Sequence, residues 1–420
     1  MNFDDTPQEA EFRAETRAWL AANAPLREAG DSHQAFLDDP VSIEACKAWQ
    51  ARKSEAGWAC LTWPGEYGGR DASAIENLIW GQEESRFRVP RDIFHIGHAQ
   101  AGPTLIVHGG GEQKERWLPK MIRGEEIWCQ LFSEPGAGSD LAGLRTRASR
   151  EGDHWVVNGQ KTWTSGAQWS DWGILLARTD PNVPKHRGLT YFVVDMGTPG
   201  IDIRPVRQMW GDADFSEVFL GDVRVPDDHR IGRVGNGWAV ALTTLMNERA
   251  SISGGTVGPA GERLPSARDV YRLARDARIG GARPALDSEA VQERIADYYV
   301  RWKGLQYTSY RTLTSLSRGE TPGGEGAIGK LVEGRLQQDM ASLALDLLGT
   351  SGMLGEENGA MALRRWERAY LVASAVRIAG GTDEILRNVI AERVLGLPAE
   401  PRIDKEIPFR DIRGTGGKPA

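Results

Sequence analysis

The spacing of apolar residues along the chain changes character twice. From residue 1 to about 126 they sit in runs of good helix formers, one of which holds Phe12, Ala14, Arg17, Trp19 and Leu20. Trp63-Pro64-Gly65-Glu66-Tyr67-Gly68-Gly69 interrupts that pattern, and Gly109-Gly110-Gly111 interrupts it again before Glu112-Gln113-Lys114 restarts a helix. Between about 127 and 234 the apolar segments become short, β-branched and aromatic (154–163, 172–178, 189–196 and 216–226), with Gly, Pro and Asn between them. That is the rhythm of a small all-β domain. After Gly235-Asn236-Gly237 helical spacing returns and lasts to about 395. There Val332, Leu336, Met340, Leu343 and Leu347 mark one face of a long helix. The pattern predicts an α+β multi-domain chain. Residues 1–126 form an N-terminal helical domain, 127–234 a β-barrel or sandwich, and 235–400 a C-terminal four-helix bundle, with 401–420 a loose tail.

Composition narrows the function classes. Of 420 residues, 40% are apolar and 26% charged, the balance of a globular protein. Lys and Arg number 51 against 58 acids, a net charge of −7, which argues against nucleic-acid binding because phosphate neutralisation needs clustered cations. No apolar run approaches the ~20 residues of a membrane span. The first residues lack the basic start and apolar run of a secretory signal, and Gly-Lys-Pro-Ala at the other end is not a peroxisomal address. Cys46, Cys60 and Cys129 are too few and too scattered for a disulfide framework or a zinc site, so no metal is expected and a reducing cytoplasm is. Fifteen tryptophans suit a large apolar pocket or an interface, though packing alone accounts for such a number.

Four segments could carry chemistry. Glu134-Pro135-Gly136-Ala137-Gly138-Ser139-Asp140 combines small residues with a hydroxyl, so its backbone can approach a ligand and hold an anion. The alternative is an ordinary surface turn. The glycine spacing and the strand-like stretch that follows do not fit a nicotinamide-binding Rossmann loop. In Asn158-Gly159-Gln160-Lys161-Thr162-Trp163-Thr164-Ser165, Asn-Gly predicts a hairpin turn. Trp163 with its hydroxyl neighbours could stack on a planar heterocycle, or simply pack. In the helix at 238–249, Trp238, Ala241, Leu242 and Leu245 form an apolar stripe that Glu248 and Arg249 prolong. Those two residues either point inward, form a buried ion pair, or reach solvent. At Gly380-Gly381-Thr382-Asp383-Glu384, Thr382 is a good N-cap with acids in the first turn, and the helix ends at Gly396 and Pro398.

Taken together and in this order, Leu131-Phe132-Ser133-Glu134-Pro135-Gly136-Ala137-Gly138-Ser139-Asp140, the Asn158–Gly166 stretch by number 158–166, Asn247-Glu248-Arg249 and the run 377–396 resemble the acyl-CoA dehydrogenase family over about 400 residues. The resemblance implies an FAD enzyme that desaturates an acyl-CoA thioester between Cα and Cβ. Gln130, Phe132 and Ser133 would line the flavin, and Gly138 and Ser139 would lie near the flavin and CoA phosphates. Trp163, Thr164 and Ser165 would contact the isoalloxazine, and Thr382, Asp383 and Glu384 would reach the FAD. Arg278 of a neighbouring subunit would meet its pyrophosphate, although the usual aromatic-glycine pair after it is Gly281-Ala282 here.

Many members carry the catalytic base where this chain has Gly380, and a minority carry it directly before an arginine on the helix of the third motif. The resemblance thus makes Glu248 the candidate base and Arg249 a substrate contact, with the Gly380 N–H left to stabilise the enolate oxygen. An acyl chain arriving beside Glu248 would strip away water and strengthen it as a base. Met246 replaces an acid, and Asp346-Leu347-Leu348-Gly349-Thr350-Ser351-Gly352 departs from the usual glutamine-glycine run, so substrate preference does not carry over. The implied partners are an electron-transfer flavoprotein and further copies in a homodimer or homotetramer. An oxidase or monooxygenase on the same fold, or a half-site subunit of a heteromer, are the alternatives.

Overall fold

Helices form where capping and spacing favour them. In chain order they are α1 Pro7–Asn23, α2 Ile43–Glu55, α3 Ala74–Glu84, α4 Gly102–His108, α5 Gly111–Ile122, α6 Gly237–Gly254, α7 Ala267–Asp276, α8 Glu289–Ser317, α9 Glu325–Leu348, α10 Met361–Val376 and α11 Asp383–Val389. The strands are β1 Trp128–Leu131, β2 Arg147–Glu151, β3 His154–Ser165, β4 Trp172–Arg178, β5 Leu189–Asp195, β6 Ile201–Val206, β7 Phe215–Pro226, β8 Arg230–Ile231, β9 Arg278–Ile279 and β10 Arg283–Pro284. These elements come from a computed structural model that describes residues 5–27, 42–254, 265–279, 283–317, 325–353 and 361–412. No helix among them is long and apolar enough to cross a membrane.

The chain divides into two compact units. One comprises Met1–Pro40, Ala72–Val89 and Arg249–Pro398, and the other Val41–Asp71, Pro90–Glu248 and Ala399–Ala420. The second unit holds an eight-stranded sheet in the order β6-β7-β3-β2-β4-β5-β8, with β1 parallel to β4. A single residue pair, Arg147 with Arg178, joins β2 to β4. Side chains from both sides of that seam, among them Leu131, Val157, Leu175, Phe192, Val218 and Val223, share one core, as in a sandwich. The opposite face of β4 and β5 presents Ile174, Leu176, Tyr191 and Val193 to Leu105, Trp117, Met121 and Val240. Burial on both faces explains why these two strands read as unbroken apolar runs rather than as alternating ones.

Two expectations are corrected in this unit. The hairpin turn lies at Gly152-Asp153, between Glu151 of β2 and His154 of β3, not at Asn158-Gly159. Gly152 supplies the positive φ of 65° that the turn needs. Asn158 and Gly159 instead sit inside β3 at a bulge opposite β7. Glycine is required there by contact, because a Cβ at 159 would meet Thr146 Oγ1 at 2.3 Å and Thr146 Cα at 2.7 Å. The segment expected to be a loose tail is also held down over residues 402–412. Phe409 is buried, its N–H donates to Val183 O at 2.9 Å, and the Arg410 N–H donates to Pro181 O at 3.0 Å. The tryptophans mostly fill cores: Trp117 and Trp172 pack edge-to-face against His229, and Trp128 packs against both of them.

In the first unit, α7, α8, α9 and α10 pack around Val270, Ile295, Tyr298, Leu336, Met340 and Trp366. The expected face of α9 is the buried one, with Leu336, Met340 and Leu343 in the core and Val332 and Leu347 against it. Helices α1 and α3 each begin with a reciprocal cap, Thr6 with Glu9 and Ser73 with Glu76. They meet at the buried Glu83 carboxylate, which accepts from Arg17 at 2.9 Å, Arg86 at 2.7 Å and Arg13 at 3.2 Å. Hydrogen bonding from Arg17, outweighing the opposing effect of burial, brings the Glu83 carboxyl down to about 2. A lowered carboxylate stabilises fully above its ordinary value near 4.5, and that stabilisation fades as pH falls toward 2. Glu83→Gln should therefore cost about 2 kcal/mol at pH 7, discounted for the solvent that reaches Arg17 and Arg86. Thermal melts of variant and parent should converge as pH drops from 5 to 2, and parallel curves would show that the charge at 83 is not the cause.

Candidate active site

The glycine-bearing motif after β1 closes into a tight turn, in which Glu134 and Ala137 exchange both backbone hydrogen bonds at 3.0 Å. Its shape is set by a buried ion pair. Lys161, on β3, is 0% exposed and donates to Glu134 Oε1 at 2.9 Å, Phe132 O at 3.0 Å and Leu176 O at 2.9 Å. The Glu134 carboxylate also accepts from the N–H groups of Arg145 at 2.6 Å and Thr146 at 2.8 Å. Burial pushes the Glu134 carboxyl up, but the Lys161 charge and these donors outweigh it and hold the carboxyl below its ordinary value. Sequence reasoning missed both residues as determinants of the site. A signal existed: alternation from Trp155 and Val157 carries through Gly159 to Lys161, placing it inward.

Beyond this turn Gly138, Ser139 and Asp140 are exposed. A Cβ added at Gly136 or Gly138 would meet nothing within 4 Å, so packing within the chain does not demand glycine there. Ser133 O accepts the Thr162 N–H at 2.9 Å, which fastens β3 to the loop after β1. The next residue, Trp163, has φ 58° at a second bulge in β3 and is 60% exposed, edge-on to Phe215 at 5.9 Å. A bulky side chain at positive φ is an outlier, and holding a large ring out toward solvent in that conformation costs about 1–3 kcal/mol. Ser165 is half-buried on the same strand. The Thr164 side chain, expected at the cofactor, is buried on the other face of the strand from its neighbours, and its hydroxyl has no hydrogen-bond partner among the described residues.

Glu248, near the middle of α6, is half-buried, and the Gln130 Nε2 on β1 donates to its Oε2 at 3.4 Å. The structure thus brings the candidate base against the first of the residues expected around the flavin. The face that α6 buries keeps Ala241 of the expected stripe in the core with Trp238 and Leu245 packed against it, and departs from the stripe at Leu242. Leu242 is exposed, whereas Val240, Ala241 and Thr244 are fully buried. Thr244 Oγ1 lies 2.9 Å from Thr104 Oγ1 and 3.0 Å from the Tyr191 hydroxyl, and His108 Nε2 lies 2.8 Å from Thr243 Oγ1. These hydroxyl contacts anchor the helix one turn before Glu248, and apolar periodicity could not reveal them. Arg249 continues the helix, and its side chain lies outside the described residues.

The remaining candidates lie in the first unit. Gly380 and Gly381 have φ of 64° and 107°, and Lys330 donates to Gly381 O at 2.6 Å. Thr382 caps α11, its hydroxyl accepting from Ile385 N at 3.3 Å. Asp383 is buried, its Oδ2 paired with Arg377 at 2.6 Å and its Oδ1 without a hydrogen-bond partner among the described residues; Glu384 is exposed. Arg278 is exposed on β9, which pairs with β10, while Gly281-Ala282 fall outside the described residues.

Comparison with known proteins places this architecture. Three family models match in series: the acyl-CoA dehydrogenase N-terminal domain over residues 6–125, the middle domain over 129–223 and the C-terminal domain over 235–395. Residues 396–412 lie past these stretches. Among solved structures, a chain of the ChsE4-ChsE5 complex from Mycobacterium tuberculosis superimposes with a TM-score of 0.76 at 31% identity, covering 96% of this chain and 100% of that one. A chain of the Tcur3481-Tcur3483 steroid ACAD gives a TM-score of 0.79 at 28% identity over 95% of this chain and 100% of that one. The chain is also 39% identical over 401 residues to the acyl-CoA dehydrogenase IpdE1 of Mycobacterium tuberculosis, covering 93% of this chain and 98% of the relative. The chain belongs to the acyl-CoA dehydrogenase family. It is accordingly an FAD flavoprotein and an oxidoreductase acting on acyl-CoA thioesters.

Proposed function

We propose that Glu248 is the base that withdraws the α-proton from the bound acyl-CoA. The observation that carries this reading is the 3.4 Å contact between Glu248 and Gln130, which puts a half-buried carboxylate beside β1. The residues present fit an FAD. The strained, exposed Trp163 offers a ring face, and the open glycines at 136 and 138 leave room for a backbone-close ligand. Gln130, Phe132, Ser133, Trp163 and Ser165 would hold the flavin ring, and Gly138 with Ser139 its phosphates or those of CoA. When bound, FAD supplies the acceptor for the hydride that leaves Cβ while the proton leaves Cα. The chain's own contribution is to orient Glu248 through Gln130 and through the Thr244 anchorage one turn earlier. Anchoring by Tyr191 and Thr104 fixes the helical turn that precedes the carboxylate and so its position.

The acyl group is proposed to be bulky and ring-bearing, a reading supported by the likeness to the steroid ACAD. Anaerobic titration with a panel of acyl-CoAs tests both points: a ring-bearing thioester should bleach the flavin at lower concentration than straight-chain ones, and a panel that leaves the flavin oxidised sinks the dehydrogenase reading. An electron-transfer flavoprotein is proposed as acceptor, in which case the bleached enzyme recovers slowly in air; rapid recovery with peroxide would indicate an oxidase. A second reading, one subunit of a two-component enzyme, is favoured by the likeness to a chain of the ChsE4-ChsE5 complex. Flavin stoichiometry and turnover of this chain expressed alone separate it from a homomer.

A further inference from the structure

Gln100 is 5% exposed, and its side-chain Oε1 meets no hydrogen-bond donor among the described residues. It stands in the π-turn Gly97–Ala101, which runs straight into α4. The hydroxyls around it are already spoken for. Thr104 Oγ1 donates to the Gln100 backbone O at 2.7 Å, so it accepts from Thr244 Oγ1 at 2.9 Å, which in turn accepts from the Tyr191 hydroxyl at 3.0 Å. Each hydroxyl of this series gives its single proton to the next, and the series ends on the Gln100 main chain. None of these protons is left for the Gln100 side chain. Ala101, Leu105, Trp128 and Ala241 nearby belong to one apolar core.

The same contacts place Gln100 beside Glu248. Gln100, Thr104 and His108 recur every four residues, along one face of the helix. Thr104 meets Thr244 of α6, and His108 Nε2 lies 2.8 Å from Thr243 Oγ1. Contacts that run backwards along α4 thus run forwards along α6. One turn before Thr104 is Gln100, and one turn after Thr244 is Glu248. Strand β1 closes the other side. A Cβ at Gly97 would meet Trp128 Cδ1 at 3.4 Å, so the π-turn lies against that strand. Gln130, two residues on from Trp128 and on the same face of β1, is the donor to Glu248 Oε2. The π-turn, β1 and α6 therefore converge where the acyl group must sit if Glu248 is to reach its α-carbon.

We propose that Gln100 is a specificity residue for the acyl group, its Oε1 accepting a hydrogen bond from a hydroxyl carried on that group away from the Cα–Cβ bond. The substrate class is then a hydroxylated acyl-CoA rather than a plain hydrocarbon one. This rests on the reading of Glu248 as the mark of the acyl pocket, yet it is tested by binding without turnover. Calorimetry on the FAD-loaded enzyme would use enoyl thioesters, which are products and leave the oxidised flavin unchanged. The set is 3-cyclohexylacryloyl-CoA, its ring-hydroxylated forms (one for each ring position), 2-octenoyl-CoA and 8-hydroxy-2-octenoyl-CoA. In the parent the best-placed hydroxyl should tighten binding about tenfold or more over the unsubstituted thioester of the same skeleton. Gln100→Leu keeps the volume and removes the acceptor. In it the preference should vanish, with the unsubstituted thioester bound as tightly as in the parent or tighter. The variant should also melt no lower than the parent, because it deletes a buried acceptor that the fold does not satisfy. The proposal is overturned if the parent prefers no hydroxylated thioester, or if the preference persists in Gln100→Leu. It is also overturned if the variant melts lower and loses both members of a pair alike, as a residue that only holds the fold would. A cyclohexyl skeleton bound more weakly than the octenoyl one would sink the ring-bearing reading alone, since the hydroxyl preference is a ratio within either skeleton. Failure of Glu248 as base would leave every one of these binding readouts intact.

Discussion

Replacing Glu248 by Gln is expected to slow flavin bleaching by acyl-CoA about a thousandfold or more, while FAD stays bound and CoA affinity holds. Proton removal by a positioned side chain contributes ~10²–10⁴-fold to rate, and the α-proton of a thioester is acidic enough to leave only when a base sits within hydrogen-bond reach. A thousandfold loss corresponds to about 4 kcal/mol of transition-state stabilisation. Glutamine keeps the volume and still meets Gln130, so the anchorage by Thr244, Thr104 and Tyr191 survives. Glu248→Asp keeps the charge but withdraws it by about one bond length, and a misplacement of that size costs about a hundredfold. The pair of variants thus separates chemistry from position. Near-parental bleaching in Glu248→Gln would mean that another acid does the work.

How far the chain announces this arrangement depends on the kind of signal. Changes of period marked the helical, β and helical stretches because burial on one face of a helix, or on both faces of β4 and β5, leaves a direct record in apolar spacing. The Gly-Gly-Thr cap of α11 was legible because a φ of 107° at Gly381 and a hydroxyl at the cap leave few alternatives. Polar burial leaves no such record. Thr244, Tyr191 and Thr104 meet across 140 residues of sequence, as the Thr104–Thr244 contact shows, and nothing local distinguishes them from surface hydroxyls. Asn158-Gly159 misled for a related reason. Glycine serves both a turn and a close approach, and here contact with Thr146 decides. The docking of residues 402–412 is illegible for its own reason: Ile407-Pro408-Phe409 is too short a run to show a period, and its partner surface lies more than 200 residues away, as the Asn182–Arg410 bond shows.

Lys161→Met should be the most damaging substitution away from the chemistry, lowering stability by about 3–5 kcal/mol and releasing FAD. Removing the cation leaves Glu134 as a buried carboxylate facing only the two N–H groups of Arg145 and Thr146, the situation in which breaking one half of a buried pair is costly. Set against a typical total of about 5–15 kcal/mol, that is a large fraction. The same ammonium holds Phe132 O and Leu176 O, so the loop after β1 and the β3 segment leading to Trp163 lose a common tie. The second substitution Glu134→Gln tells charge from packing. It removes the stranded anion and keeps one carbonyl oxygen, which accepts from one of the two N–H groups, so Lys161→Met/Glu134→Gln should recover part of the stability lost in Lys161→Met alone. Stability and flavin retention should respond differently. Melting temperature should partly recover in the double variant, because the buried charge has gone. FAD retention should not, because the three-way tie through Nζ is still missing and Trp163 no longer has a firm base for its strained backbone. Thermal melts together with flavin fluorescence of the desalted protein read the two quantities separately. Lys161→Met that melts and retains FAD like the parent would show that the turn holds its shape without the pair.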